Sequence, residues 1–194
     1  MCLLIETIKI HNKKIENLEF HLERINKARK DIFKLKPLEN LIIPLPPSLG
    51  TYKCRIIYGP EIISINLEKY KKRKINSLKV VYDDDIVYDY KWKDRKKLEN
   101  LFNLKNGCDE ILIVKKGFIT DTSFSNVVLK NSDGLFTPLY PLLKGIKRES
   151  LLKKGIIQPR EIKIEDLKSF EEIHLINAML DLNDCVINTT KIFL

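Results

Sequence analysis

The chain has 194 residues, 44% of them hydrophobic and 31% charged, the balance of a globular protein long enough to bury a core without covalent staples. No apolar run approaches the roughly 18 residues of a membrane span, and the N-terminal MCLLIETIKIHNKK lacks a signal-peptide layout, so cytoplasmic residence with no membrane partner is the expectation. The formal charge is +9, but the basic residues are interleaved with acids, as in LEKYKKRKIN and DYKWKDRKKLEN; they read as solvated lysines rather than a nucleic-acid face, in a field that favours phosphate- and carboxylate-bearing ligands.

Leu3 to Ile10 reads as a strand, His11 to Lys14 as a polar turn, and the residues near Ile15 as a second short strand. A helix follows, with Asn17 as its cap and Leu18, Leu22, Ile25, Ala28 and Ile32 at helical spacing. It places His21 and Arg24 one turn apart on a common flank. Pro37 to Gly50, with Pro44, Pro46 and Pro47, reads as a connector. Tyr52 to Tyr58 and Glu61 to Asn66 read as two strands joined through Gly59-Pro60. The cluster from Lys69 to Lys74 is a solvated turn before a strand over Leu78 to Tyr82. Asp83-Asp84-Asp85 closes that strand as a loop, because three consecutive carboxylates cannot converge on a metal without further partners. Cys2, Cys54, Cys108 and Cys185 are isolated, with only His11, His21 and His174 as companions, which points to free thiols and no metal site.

Tyr88 to Arg95 then leads into a helix with Leu98, Leu101 and Phe102 on one side, ended by Gly107. Asp109 to Val114 reads as a buried strand and Lys115-Lys116-Gly117 as a turn. Ile119 to Leu129, rich in Thr, Ser, Val and Phe, reads as a strand beside a polar site, followed by the turn residues Asn131 to Gly134 and a short strand Leu135 to Thr137. Gly145 precedes a helix through Leu151, Leu152 and Lys154, stopped at Gly155. A helix that opens on glycine offers backbone N–H groups and a positive dipole end, a candidate anion site. Ile162 to Ile164 reads as a strand start, Glu165 to Leu167 as a helical turn, and the C-terminal DCVINTTKIFL as one last strand.

The order of these blocks, FHLERINKARKDIF, then Lys91-x-x-x-Arg95 before a helix, Thr120-Asp121 through Asn126, Gly145-Ile146-Lys147-Arg148, and Asn177-Ala178, resembles the class IV aminotransferases, the fold-type IV enzymes that carry pyridoxal 5'-phosphate. The resemblance implies an α+β, two-lobed, D-amino-acid-aminotransferase-like fold with a shortened N-terminal lobe: residues 1–82, a linker at 83–90, and a second lobe over 91–194, with the cofactor in the cleft. It further implies a homodimer. By the same resemblance Lys91 is the Schiff-base lysine, with Lys93 its nearest rival. The aromatic company of Tyr88, Tyr90 and Trp92 suits a partly desolvated amine. Arg24, the backbone N–H groups of Ile146 and Lys147, and Asn177 would hold the phosphate. Asp121 stands where relatives carry Glu toward the pyridine nitrogen, with Asn126 in the same pattern and Arg95 beside the cofactor. Lys147 stands where relatives carry Thr. Tyr52 and Arg55 lie on a strand that presents substrate-contacting side chains in relatives, although Arg55 could equally point to solvent.

Lys91-x-x-x-Arg95 and Asn177-Ala178-Met179-Leu180 resemble the lyase branch, which implies release of pyruvate and 4-aminobenzoate from 4-amino-4-deoxychorismate. The alternatives are transamination of a branched-chain or D-amino acid, favoured by an arginine such as Arg55 placed for a carboxylate, and a low-turnover protein that binds the cofactor.

Overall fold

The computed structural model describes residues 2–194, which divide into two units: residues 2–72 with 90–94, and residues 73–89 with 95–194. Residues 78–82, expected in the first lobe, therefore belong to the second unit, and residues 91–94, expected in the second lobe, belong to the first. Strand pairing is the reason in both cases: residues 78–82 pair with residues 110–114, and residues 91–93 pair with the first strand.

The first unit is a four-stranded antiparallel sheet of β1 (Leu4–His11), β2 (Lys14–Ile15), β3 (Thr51–Tyr58) and β4 (Ile62–Lys69), in the order β2-β1-β3-β4. Alternation along β1 and β3 turns Leu4, Ile8, Ile10, Cys54, Ile56 and Tyr58 to one face, where Ile25 and Ala28 of α1 (Leu18–Asp31) complete a buried cluster. Asn17 occupies the cap position of α1, but its side chain caps nothing. Its φ of 52° makes it the left-handed residue that swings the chain from β2 into the helix, a conformation asparagine tolerates. Residues 37–50 carry no regular structure, as their prolines dictate. Residues 91–93 return to this unit by pairing with the start of β1: Ile5 N–H donates to the Lys91 carbonyl (2.9 Å) and Lys93 N–H to the Leu3 carbonyl (2.8 Å), with Trp92 opposite Leu4.

The second unit is layered. One sheet joins β5 (Leu78–Tyr82), β6 (Glu110–Lys115), β7 (Phe118–Ile119) and β13 (Ile192–Phe193) in the order β13-β5-β6-β7. β5 and β6 run parallel through the crossover helix α2 (Lys96–Phe102), which is why β5 must sit here. The other sheet joins β8 (Asn126–Asn131), β9 (Gly134–Pro138), β10 (Gln158–Arg160), β11 (Glu172–Ile176) and β12 (Val186–Asn188) in the order β10-β9-β8-β11-β12. Their facing sides share one core, with Val80, Leu112 and Val114 packed among Val127, Leu129, Ile173 and Leu175. The outer face of the first sheet buries Ile111 and Ile113 against Leu98 and Leu101 of α2. The outer face of the second buries Val128 and Ile176 against Leu151 of α3 (Ile146–Lys153). A strand covered on both faces must be apolar throughout, which accounts for the unbroken ILIV of β6.

Three expectations are corrected. The strand foreseen from Ile119 to Leu129 is broken at 120–125, where hydroxyl and carboxamide side chains bond the local backbone in place of a ladder: Thr122 Oγ1 accepts from Ser125 N–H (2.9 Å) and Phe124 N–H (3.3 Å). The strand start foreseen at Ile162 is a single bridge, Phe118 to Lys163, before a 3₁₀ turn over Ile164–Ser169. The last strand is two, β12 and β13, in different sheets, because Asn188 takes Thr190 N–H (2.9 Å) and starts the 3₁₀ turn Thr189–Lys191 between them.

Candidate functional site

In the first unit the alternation that buries Leu4 and Ile8 also buries the acid between them, Glu6, which is 0% exposed. The His21 and Arg24 side chains, one turn apart on α1, both reach it. Arg24 Nε donates to Glu6 Oε1 and Nη2 to Oε2, each at 2.7 Å, and His21 Nδ1 lies 2.7 Å from Oε2. Burial alone would raise the Glu6 pKa, but the Arg24 charge and the hydrogen bonds from His21 and Arg24 outweigh it and hold the carboxyl well below the usual range. Burial keeps His21 neutral, its pKa lowered against the pull of Glu6 and with the added push of the Arg24 and Lys91 charges. A carboxylate neighbour accepts only, so Nδ1 carries the ring proton. Glu6 escaped the sequence reading, although an acid at an inward position of an alternating strand, LLIETIKI, is a signal that could have found it. The Tyr58 hydroxyl, buried near this cluster, has no hydrogen-bond partner among the described residues.

Residues 90–94 bring Lys91 into the same unit. Tyr90 and Trp92 pack against its core edge to face, ring centroids 5.7 Å apart, and the Tyr90 hydroxyl donates to Asp31 Oδ2 at the end of α1 (2.8 Å). Lys91 and Lys93 alternate to the other face; Lys91 is half-buried and Lys93 exposed. Arg55, opposite Thr7 in the ladder, is exposed on that same face, because Lys91 stands opposite Ile5. Tyr52 is not brought to it. It is buried among core residues on the α1 side of the sheet, its hydroxyl 2.6 Å from Ser48 Oγ.

In the second unit the segment 120–126 is held from every side. Asn126 Nδ2 donates to Asp121 Oδ1 and to the Leu143 carbonyl, both at 2.8 Å, while Leu143 N–H donates to Asp121 Oδ2 at 3.0 Å. Burial pushes the Asp121 carboxyl up to about 7 against these bonds and the Arg148 charge. Gly145 is required here for space: a Cβ on it would lie 2.0 Å from Asn126 Oδ1. Ile146 follows as the first residue of α3, whose start has no side-chain cap, so its first-turn N–H groups remain an anion-binding end. The Lys147 side chain turns to Asp181 in an ion pair, which leaves its backbone as the group at the helix start. Asn177 Oδ1 accepts from Met179 N–H (2.8 Å) and Leu180 N–H (3.0 Å), and Nδ2 reaches the Phe124 carbonyl (3.4 Å), so its side chain braces the same loop. Arg95 donates through Nη2 to the Ser123 carbonyl. Glu110, fully buried and also missed, accepts Ser123 N–H (3.2 Å), its own pKa raised by burial. Arg95 and Glu110 thus clamp the two ends of one residue's backbone.

Residues 64–184 match the protein family described as amino-transferase class IV. The chain belongs to the class IV aminotransferase family. This class IV chain is 37% identical to an uncharacterized Haemophilus influenzae protein over 182 residues, 91% of this chain and 97% of that one. A Haemophilus somnus crystal structure, described as a candidate 4-amino-4-deoxychorismate lyase, superposes with a TM-score of 0.83 at 32% identity, covering 94% of this chain and 98% of that one. A hypothetical aminotransferase from Mycobacterium tuberculosis, in its pyridoxal-phosphate-bound form, shares the fold with a TM-score of 0.74 at 16% identity, over 98% of this chain and 81% of that one. The fold is that of the fold-type IV enzymes.

Proposed function

We propose that this class IV chain is a pyridoxal-phosphate enzyme that cleaves 4-amino-4-deoxychorismate to pyruvate and 4-aminobenzoate. The observation that carries the cofactor reading is Asp121, a buried carboxyl whose pKa stands at about 7, in the same unit as an uncapped helix start. Such a carboxyl trades its proton readily with a pyridine nitrogen of similar basicity, and the helix start suits a phosphate, so the donor set fits the group. When bound, pyridoxal phosphate supplies an electron sink for the carbon that loses its proton. Lys91 supplies the amine that attaches the cofactor, then takes and returns the substrate proton as general base and acid. Arg24, the N–H groups of Ile146 and Lys147, and the Asn177 loop hold the phosphate. Asn126 fixes the Asp121 carboxyl, and Arg95 keeps the loop between them in place.

The choice of lyase rests on the Haemophilus somnus relative and on Asn177-Ala178. Transamination of an amino acid is the second reading, favoured by Arg55, an exposed cation on the face that carries Lys91. The assay that separates them offers the purified protein and cofactor either 4-amino-4-deoxychorismate or an amino acid with a 2-oxo acid. Pyruvate release from the first alone supports the lyase; amino-group transfer between the second pair, without pyruvate from the first, overturns it. The family resemblance also underlies a proposed homodimer, which sedimentation would report as twice the chain mass and refute as a single mass.

A further inference from the structure

Glu6 has no place in the chemistry just described, yet it is the most completely enclosed charge of the first unit. It is 0% exposed, with three donors at 2.7 Å. A lone ionised carboxylate in that position would be strongly disfavoured, and an apolar residue would fill the same space at little cost in stability. Its geometry suggests a different use. An arginine side chain has four rotatable bonds and loses substantial entropy when it is fixed. Glu6 takes Nε and Nη2 together, which fixes the plane of the guanidinium, and His21 Nδ1–H holds the carboxylate by a further bond to Oε2, the oxygen that also takes Nη2. His21 and Arg24 leave α1 one turn apart, so the helix itself sets the separation of the two donors.

We infer that Glu6, braced by His21, is a positioning residue that sets the Arg24 guanidinium in the one orientation that meets the cofactor phosphate. This rests on the pyridoxal-phosphate reading above. Glu6 touches neither cofactor nor substrate in this account; it acts through Arg24 alone.

Positioning predicts selectivity for the phosphate. Equilibrium dialysis of the cofactor-free protein against pyridoxal phosphate, and against pyridoxal, which lacks the phosphate, gives two dissociation constants for each variant. Glu6→Gln is expected to weaken pyridoxal phosphate about tenfold and to leave pyridoxal unchanged, since one lost charge-assisted contact is worth roughly that factor. Arg24→Met is expected to lose at least as much of the same preference, and the double variant no more than Arg24→Met alone. Should Glu6→Gln fail to fold, His21→Gln, which keeps Glu6 and Arg24, is expected to lose about threefold of the preference. Equal weakening of both ligands, no weakening, or additive losses in the double variant would overturn the inference while leaving the cofactor reading intact. A wild-type protein that binds neither ligand would overturn the cofactor reading itself, and the inference with it.

Discussion

At the scale of single residues, Asp121 concentrates the physical tension of the second unit. Its carboxyl is buried, and burial pushes its pKa up to about 7, above the value of an aspartate in an unfolded chain. The unfolded chain therefore gives up its proton first. Between roughly pH 4 and 7 the contribution of this one carboxyl to the stability of the cofactor-free protein falls with each rise in pH, and above about 7 its penalty stays constant. Glu6 and His21 act in the opposite sense, since both have folded pKa values below their unfolded ones. Comparison with Asp121→Asn isolates the one group: the variant's stability relative to wild type is expected to rise by on the order of 4 kcal/mol from pH 4 to pH 7.5 in urea titrations. A difference independent of pH would mean that Asp121 is ionised throughout. The positions of Asp121, Asn126 and Gly145 were legible in the chain as a spaced pattern. The reason for Gly145 was not, because a side chain nineteen positions earlier occupies the space its Cβ would need. Glu6 was legible only to a reader who asked which strand face an acid would share with Leu4 and Ile8.

At the scale of elements, the short return of residues 90–94 does what a longer strand would do elsewhere. Two main-chain hydrogen bonds attach it to β1, and Tyr90 ties it to the end of α1 through Asp31, with the Lys27 ammonium 5.1 Å from its ring. Lys91 is thereby tied to the edge of the sheet through its own carbonyl, beside the single bridge at Trp92. Replacing Tyr90 with Phe keeps the ring packing and removes the hydrogen bond, so stability should fall by no more than about 1 kcal/mol. Amide exchange at Ile5 and Lys93 should nevertheless quicken, because those N–H groups carry the attachment. Unchanged exchange there would show that Trp92 packing alone holds the segment. Helical spacing and alternation sufficed to find α1, β1, β3 and β5, whose apolar periods are regular. They failed at 120–125 and at 162–164, where side-chain hydrogen bonds and a single bridge replace the ladder that the composition suggested.

For the molecule as a whole, the division into units follows pairing rather than sequence order: β5 joins the second unit through its parallel ladder with β6, and the chain then revisits the first unit for five residues before α2. Parallel partners are distant in sequence, so no local pattern announces such an exchange. The same revisit assigns Lys91 to the unit of Arg24, and Arg95, four residues on, to the unit of Asp121. We propose above that this class IV chain carries pyridoxal phosphate on Lys91. The direct measurement is the absorbance of the purified protein titrated with pyridoxal phosphate, for wild type, Lys91→Ala and Lys93→Ala. A visible band, distinct from free cofactor, is expected in wild type and Lys93→Ala, and its loss in a folded Lys91→Ala. A band that survives in Lys91→Ala, or a folded wild type that forms none, would contradict that proposal.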